Sequence, residues 1–294
     1  MLTYPLSDDG YATPVECVDL CKTMSMYNVA VLQILTPEEQ KASQAALYSE
    51  MGKTPTSVTS DPKTWSKENF RTPSSPFLSQ DYAISPQAFK NRVHPKLVDA
   101  FAALYATQDL LTTIDFWGFK RGTLHNSAWK LNPLRLHWDV DIETYVQDQK
   151  RGRRRYQALL ALNDNSQTIG SFACVPGSAN MLHRFQRDVD QKKYVKNSSV
   201  LHQNIQRLPL KAGCVVIWDV GTAHANFANH DWEPRLTQYC RMIPNTKWAQ
   251  HAEPQNIVNY WRSLPVAKRS QIQSPLFQLF DQGKILGLDK TLLF

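Results

Sequence analysis

The chain has 294 residues, of which 42% are hydrophobic, 20% charged and 11% aromatic. These proportions are typical of a folded globular protein, and they exclude the disordered, collagen-like and disulfide-scaffold classes. Lys and Arg number 33 against 26 Asp and Glu, so the net charge is +7. This charge favours anionic partners without selecting among nucleic acid, phosphate and acidic metabolites.

No apolar run approaches the roughly 18 residues that a membrane helix needs. The first residues, MLTYPLSDDG, have neither the basic flank nor the apolar stretch of a signal peptide. The five cysteines form no CxxC pair, which argues against a zinc site and a disulfide framework. We therefore expect a cytoplasmic protein with free thiols and no membrane partner.

The first third of the sequence predicts supporting helices. Residues 28–35 have the pattern of a short strand, and Thr36-Pro37-Glu38-Glu39 then supplies an N-cap, a first-turn proline and acidic residues for a helix to about residue 51. Residues 52–85 lack periodicity and predict a long loop that could act as a lid. Apolar residues at helical spacing in residues 95–111 predict a helix packed on the core, so the helical support spans about 36–111.

From residue 112 the pattern changes to short β-rich runs separated by turns, which predicts a β-sandwich or barrel. The runs are TTIDFWGF, LRLHWDV, YQALLALND, SFACVP, CVVIWDV and RLTQYCRMI. Residues 112–244 would form this core, and helical character returns in a tail over about 253–294. No linker or repeat is evident, so we expect one mainly β domain with flanking helices across residues 1–294.

Two histidines and one aspartate form a candidate metal site. His137 and Asp139 are two positions apart, so on a strand both side chains point to the same side, while Trp138 points away into packing. A short loop after the buried strand 214–219 would bring His224 to the same end of the barrel as His137 and Asp139. Two imidazoles and one carboxylate are the ligand set of a 2-His-1-carboxylate site for non-haem Fe(II).

Arg235 and Thr237 follow one hairpin after His224 and share a face of a predicted strand with Tyr239 and Arg241. A guanidinium can donate two parallel hydrogen bonds to one carboxylate, and the Thr237 hydroxyl would add a third hydrogen bond. Iron with a fixed arginine indicates 2-oxoglutarate as the cosubstrate.

The ordered set of motifs resembles the phytanoyl-CoA dioxygenase-like family of Fe(II)/2-oxoglutarate-dependent dioxygenases. The resemblance covers about residues 92–244 and consists of H-x-D, YQALLALND, GSFxxVPGS, GxxVIWDxxxxHAN and PRxxQYxR. It implies a double-stranded β-helix, or jelly-roll and cupin-like core. It also implies that His137, Asp139 and His224 bind Fe(II), that Arg235 and Thr237 bind 2-oxoglutarate, and that dioxygen is the second cosubstrate.

The family's reaction would oxidise a C–H bond by hydroxylation, desaturation or oxidative cyclisation and release succinate and CO2. Asp139 is a carboxylate where related halogenases have Gly or Ala, which favours oxygenation. The sequence departs from the family at Ala179, where histidine is frequent after PGS, and at Leu159, where tryptophan occurs. Because of these departures, Gln157 and Asn126 are further candidates for binding the cosubstrate. Lys130 is a further candidate residue of the same site.

The substrate class rests on charge. We expect a small anionic metabolite that meets Arg121, Lys130 or Arg135. An oxygenase acting on nucleic acid or another macromolecule through the basic run Lys150–Arg155 is an alternative, because five cations in six residues could bind phosphates. A metal-binding jelly-roll protein without turnover is a second alternative. The sequence leaves the oligomeric state open.

Overall fold

A computed structural model describes residues 2–71, 78, 83–130, 135–190, 193–246 and 248. The predicted helical tail, 253–294, lies outside these residues. The α-helices within them are α1 (Leu20–Tyr27), α2 (Pro37–Met51), α3 (Pro86–Arg92), α4 (Pro95–Tyr105) and α5 (Ile142–Lys150). The strands are β1 (Val29–Gln33), β2 (Leu110–Thr112), β3 (Trp117–Lys120), β4 (Tyr156–Ala161), β5 (Phe172–Cys174), β6 (Val189–Asp190), β7 (Tyr194–Val195), β8 (Gln206–Leu208), β9 (Cys214–Asp219), β10 (His224–Asn226), β11 (Arg235–Tyr239) and β12 (Met242–Pro244).

The strands form a large and a small antiparallel sheet with two short ribbons. The large sheet has the order β1-β9-β4-β11-β3 and the small sheet β10-β5-β8, while β12 pairs with β2 and β6 with β7. The prediction of a mainly β fold with flanking helices is confirmed. Two antiparallel sheets of this kind are consistent with the jelly-roll core that the resemblance implied.

Alternation along the strands decides what each face of the large sheet contacts. On one face, Leu159 of β4 and Val216 of β9 pack with Phe172 and Leu208 of the small sheet. On the other face, the intervening residues share a cluster with the helices, in which they join Leu47 of α2 and Phe101 of α4. Because side chains of successive strand residues point to opposite faces, the sheet is buried on both sides.

The predicted start of α2 is confirmed in detail. The Thr36 side chain accepts a hydrogen bond from the Glu39 amide at 3.3 Å, and the Glu39 carboxylate accepts one from the Thr36 amide at 2.9 Å. This reciprocal capping satisfies two amides that lack partners within the helix. The helix ends at Met51, as the sequence predicted.

The next predicted helix is shorter than expected. It ends at Tyr105 and not at Leu111, because Ala106 adopts a left-handed conformation with φ of 52°. The residues that would have continued it, Leu110–Thr112, instead pair with Met242–Pro244 as an antiparallel ribbon. Tertiary strand pairing therefore overrides the helical spacing of the last turn.

The segment that leads into the basic run contains α5. Asp141 caps this helix by accepting a hydrogen bond from the Thr144 amide at 2.9 Å. Among the described residues, no helix is both long and apolar enough to cross a membrane.

Glu50, at the end of α2, is a largely buried carboxyl group that accepts hydrogen bonds from the Trp117 indole and the Ile84 amide. Burial raises its pKa from 4.5 to about 7, although these hydrogen bonds and the charges of Arg92 and Arg71 oppose the shift. Between these two pH values the unfolded chain loses the proton that the folded chain keeps. The free energy of unfolding should therefore fall as pH rises from 4.5 to 7.

Glu50→Gln should remove this dependence. We expect the variant to match the wild type near pH 4.5 and to exceed its stability at pH 8 by up to ~3 kcal/mol, measured by urea unfolding. Glu16→Gln, at an exposed position, serves as the control. An unchanged pH slope in Glu50→Gln would contradict the assignment.

Candidate metal centre and its cavity

His137 and His224 are held side by side by backbone pairing. Each amide donates to the carbonyl of the other residue at 3.0 Å, which forms an isolated antiparallel bridge. The two imidazole centroids are 4.5 Å apart. His224 starts β10, and His137 lies in the short segment 135–141. The backbone therefore brings together two residues that are 87 positions apart.

Each imidazole is oriented by a hydrogen bond on its Nδ1 atom. His137 Nδ1 lies 2.9 Å from the Arg135 carbonyl oxygen, and His224 Nδ1 lies 3.0 Å from that of Thr222. Because a carbonyl oxygen only accepts, Nδ1 carries a proton on both rings, and Nε2, which faces Asp139, is the atom that a metal ion would bind in exchange for any proton it carries. Bonds of this kind are the usual support for metal-binding histidines.

Asp139 completes the cluster. Its Oδ1 lies 3.4 Å from His137 Nε2, and its Oδ2 lies 3.3 Å from His224 Nε2. Burial alone would raise the pKa of Asp139, but hydrogen bonds and charge from the two imidazoles outweigh it and hold that pKa far below its usual range. Trp138 between them is fully buried in the packing, as predicted.

The three ligand atoms lie within 4.8 Å of one another, and a cluster of this composition could hold a metal ion. Two neutral imidazoles and one carboxylate suit Fe(II), and they leave three coordination positions for other ligands. The donor set therefore fits the iron that the sequence predicted.

The cluster opens into a cavity of about 240 Å³ between the sheets. Its described lining combines the metal cluster with aromatic, amide and charged side chains: Asp115, Phe116, Trp117, His137, Asp139, Gln157, Ala158, Trp218, His224, Asn226, Tyr239 and Arg241. A concave site with few polar groups beside a metal cluster is the usual form of a small-molecule site.

Two cavity residues have buried polar atoms without a partner in the described part of the chain. Gln157 on β4 and Trp218 on β9 are direct cross-strand neighbours. The Gln157 Oε1 and Trp218 Nε1 atoms are both buried and make no hydrogen bond there. Since buried polar atoms are normally paired, an acceptor and a donor are available to a bound molecule. Gln157, a candidate from the sequence for binding the cosubstrate, therefore lines the cavity.

Arg235 is buried, with 2% exposure, beside this cavity. Its Nε donates to Asn165 Oδ1 at 2.8 Å and its Nη1 donates to Asn226 Oδ1 at 2.7 Å, while Nη2 has no partner among the described residues. Asn226 lines the cavity and so joins the guanidinium to its wall. Burial lowers the pKa of Arg235 to about 10, and no ion pair of the described chain includes it. An anion would offset this desolvation.

Thr237, the second predicted clamp residue, is also buried. Its hydroxyl lies 3.4 Å from the Gly118 carbonyl oxygen. Lys120, which the sequence analysis missed, is the cross-strand neighbour of Arg235 and is buried as well. Burial and the charge of Arg235 lower the pKa of Lys120 well below its usual value. Two basic side chains in one buried region favour an anionic ligand nearby, because its charge would offset their desolvation.

Besides Arg235 and Thr237, four predicted site residues are not among the described residues that line the cavity. Asn126 is exposed and caps a short 3-10 turn through the Ala128 amide at 3.0 Å, which occupies its side chain locally. Lys130 is exposed after that turn. The Arg121 side chain stacks on Trp129 and donates to the Trp65 carbonyl oxygen at 3.0 Å. These three side chains therefore lie outside the cavity in which the sequence had placed them.

Arg135, the fourth, lies close to the metal cluster but is oriented elsewhere. Its guanidinium stacks over the Tyr194 ring at 3.7 Å, and only its backbone carbonyl supports His137. The cavity instead contains Asn226, Tyr239, Asp115 and Arg241. Strand periodicity from Arg235 had placed Tyr239 and Arg241 on one face, whereas no signal in the sequence marked Asp115.

The Phytanoyl-CoA dioxygenase (PhyH) family model matches residues 28–236 of the chain. A curated protein of Dictyostelium discoideum named "Putative phytanoyl-CoA dioxygenase" is 22% identical over 258 residues, which cover 77% of this chain and 73% of that protein.

Solved structures show the same fold. The 2-oxoglutarate-dependent epimerase SnoN from nogalamycin biosynthesis matches with a TM-score of 0.56 and 17% identity, covering 78% of this chain and 83% of that one. The non-haem monooxygenase ThoJ matches with a TM-score of 0.53 and 16% identity, covering 78% of this chain and 80% of that one. EctD from S. alaskensis with 2-oxoglutarate and 5-hydroxyectoine matches with a TM-score of 0.51 and 18% identity, covering 82% of this chain and 79% of that one.

Proposed function

Because the chain belongs to the phytanoyl-CoA dioxygenase family of Fe(II)- and 2-oxoglutarate-dependent dioxygenases, we propose that it oxidises a C–H bond of a small, anionic metabolite. In this proposal His137, Asp139 and His224 bind the iron, and Arg235 with Thr237 binds the distal carboxylate of 2-oxoglutarate. The products are the oxidised metabolite, succinate and CO2. The observation that carries the proposal is the convergence of two imidazoles and one carboxylate on a single cavity.

The iron and its cosubstrates supply the oxidising power, whereas the protein's residues bind, orient and exclude water. The carbonyl oxygens of Arg135 and Thr222 keep both Nε2 atoms directed at the metal position. The Phe172 and Trp218 rings lie 5.9 and 5.2 Å from the His224 ring, so they shield one ligand from solvent. Gln157 Oε1 and Trp218 Nε1 are placed to hydrogen-bond a molecule in the cavity.

A small substrate suits the site because its metal cluster lies in a cavity of about 240 Å³. The basic run that supports the nucleic-acid alternative is partly neutralised within the protein. Arg155 pairs with Asp148 at 2.6 Å, and Arg154 lies 3.4 Å from the buried Asp219. Nothing in the described part of the chain favours a macromolecular substrate, and family membership opposes a protein without turnover.

Anaerobic titration tests this proposal without knowledge of the substrate. Fe(II) followed by 2-oxoglutarate should produce a weak visible charge-transfer band that saturates at one equivalent, because a site with three open positions accepts a two-oxygen chelate. Admission of air should then release succinate slowly. A folded, iron-loaded protein that develops no band would contradict the proposal.

A further inference from the structure

The metal cluster is more open to solvent on one side than on the other. The side chains of His137 and Asp139 are 24% and 33% exposed, whereas the side chain of His224 is 5% exposed. A molecule that enters from solvent therefore reaches the metal position past His137 and Asp139. The side chains next to His137 on this side form the rim of the site.

Tyr194 of β7 is the neighbour of His137 at this rim. His137 forms isolated antiparallel bridges with both His224 and Tyr194, so it lies between them. Directly opposed residues of antiparallel strands project their side chains from the same face. The Tyr194 ring therefore lies on the face that carries the two imidazoles, with its centroid 6.2 Å from that of His137.

Two cations contact this ring. The guanidinium of Arg135, two residues before His137, lies 3.7 Å from the centroid of the Tyr194 ring, and the Lys193 ammonium lies 5.4 Å from the same centroid. Both Arg135 and Lys193 are exposed. Because the Arg135 carbonyl oxygen also orients His137, the rim is joined directly to the metal cluster.

The protein does not neutralise either cation. In the described part of the chain no carboxylate forms an ion pair with Arg135 or Lys193. Asp190, the cross-strand neighbour of Tyr194, also makes no ion pair there. Stacking on a ring face leaves the in-plane N–H groups of a guanidinium able to donate. Two uncompensated charges beside a metal position favour binding of an anionic group.

We infer that Arg135 and Lys193, positioned by Tyr194, bind the anionic group of the substrate at the rim of the metal centre. The substrate is a carboxylate or a phosphate monoester whose oxidised C–H bond lies a few bonds from that group. Its anionic oxygen atoms accept hydrogen bonds from the Arg135 guanidinium, while the rest of the molecule passes His137 into the cavity. This inference rests on the proposed function and places the substrate's charge apart from the buried Arg235.

Short compounds with one anionic end test the rim in anaerobic protein loaded with Fe(II) and 2-oxoglutarate. The probes are alkanoates and alkyl phosphates of about two to six carbons, each compared with the neutral amide or alcohol of the same chain. We expect at least one anionic probe to raise the melting temperature and to perturb the charge-transfer band. Its neutral counterpart should bind at least about tenfold more weakly, the effect of losing about 1.4 kcal/mol. The series that binds more tightly identifies the anion as a carboxylate or a phosphate.

Variants assign the binding to the rim. Arg135→Gln should weaken binding of the anionic probe at least about tenfold and leave that of the neutral compound unchanged, because only charge-assisted hydrogen bonds are lost. Arg135→Lys, which keeps the charge, should recover part of the affinity. Lys193→Gln should cause a smaller loss, since its ammonium lies farther from the ring. The Kd for 2-oxoglutarate should stay unchanged in all three variants.

Arg207→Gln is the matched control. Arg207 of β8 also stacks on an aromatic ring, that of Phe227 at 3.8 Å. The next residue, Leu208, packs into the core, so Arg207 points to the opposite face of the small sheet. Its substitution removes the same charge and should change the affinity of neither the anionic probe nor 2-oxoglutarate.

Several outcomes would overturn the inference. Protein with a normal band that binds no anionic probe, or that binds the neutral counterpart equally well, has no anion site at the rim. Parallel losses of the charged and neutral compounds in Arg135→Gln would indicate a structural role, and equal losses in Arg135→Gln and Arg207→Gln would indicate a general effect of net charge. If the wild type shows no band at all, the proposed function fails and this inference fails with it.

Discussion

His224→Ala is expected to abolish the charge-transfer band and to reduce succinate formation by at least about 100-fold. Even residues that only support a metal ligand typically contribute 10–100-fold in metal affinity, so loss of a ligand should cost more. The substitution leaves two of the three donors and removes the ring that packs between Phe172, Trp218 and His137. Iron binding by anaerobic titration and succinate release measure the two effects separately.

His183→Ala is the matched control, since this imidazole is exposed and lies outside the cluster. It should retain the band and full succinate release. Melting temperatures of both variants separate a lost ligand from a lost fold. A folded His224→Ala protein that still forms the band with one equivalent of iron would refute the assignment of this ligand.

Arg235→Gln is expected to raise the KM for 2-oxoglutarate by about 100-fold or more, because it removes a desolvated charge from a carboxylate that would lie in a buried site. Its effect on iron affinity should stay within about threefold, since Arg235 is not among the cluster's ligands. The KM of Arg235→Lys for 2-oxoglutarate should lie between those of Arg235→Gln and the wild type. A lysine keeps the charge but cannot donate two parallel hydrogen bonds to one carboxylate as a guanidinium does. Steady-state kinetics and iron titration provide both numbers.

Gln238→Ala gives a control on the same strand. Gln238 is buried on the opposite face of β11, where it donates to the Ala88 carbonyl oxygen at 2.9 Å and accepts from Asn91 at 2.8 Å. Its loss should lower stability and leave the KM for 2-oxoglutarate unchanged. If both variants raise that KM equally, Arg235 supports the strand and does not bind the cosubstrate.

Local patterns account for much of what the sequence predicted correctly. The Thr36 to Glu39 capping box marks a helix start through contacts only three residues apart. The two-residue spacing of His137 and Asp139 has a direct geometric consequence in extended chain. The alternation that marks Leu159 and Val216 as core positions likewise depends only on strand geometry.

The features that the sequence did not predict correctly depend on pairing between distant segments of the chain. Residues 106–112 leave the helix because Leu110–Thr112 finds a partner more than 100 residues later. Asn126 and Arg121 have the chemistry of site residues, but their local contacts occupy them away from the cavity.

The sequence by itself determined the mainly β class, and it predicted the metal donor set and the arginine of the proposed cosubstrate site, because these depend on spacing and residue type. Only the tertiary structure decided that Asn226 joins Arg235 to the cavity wall and that Asp115 meets Arg241. Asp115 and Arg241 are 126 positions apart. Their encounter depends on how β3 and β11 pair, and nothing in local sequence encodes which side chains such pairing brings together.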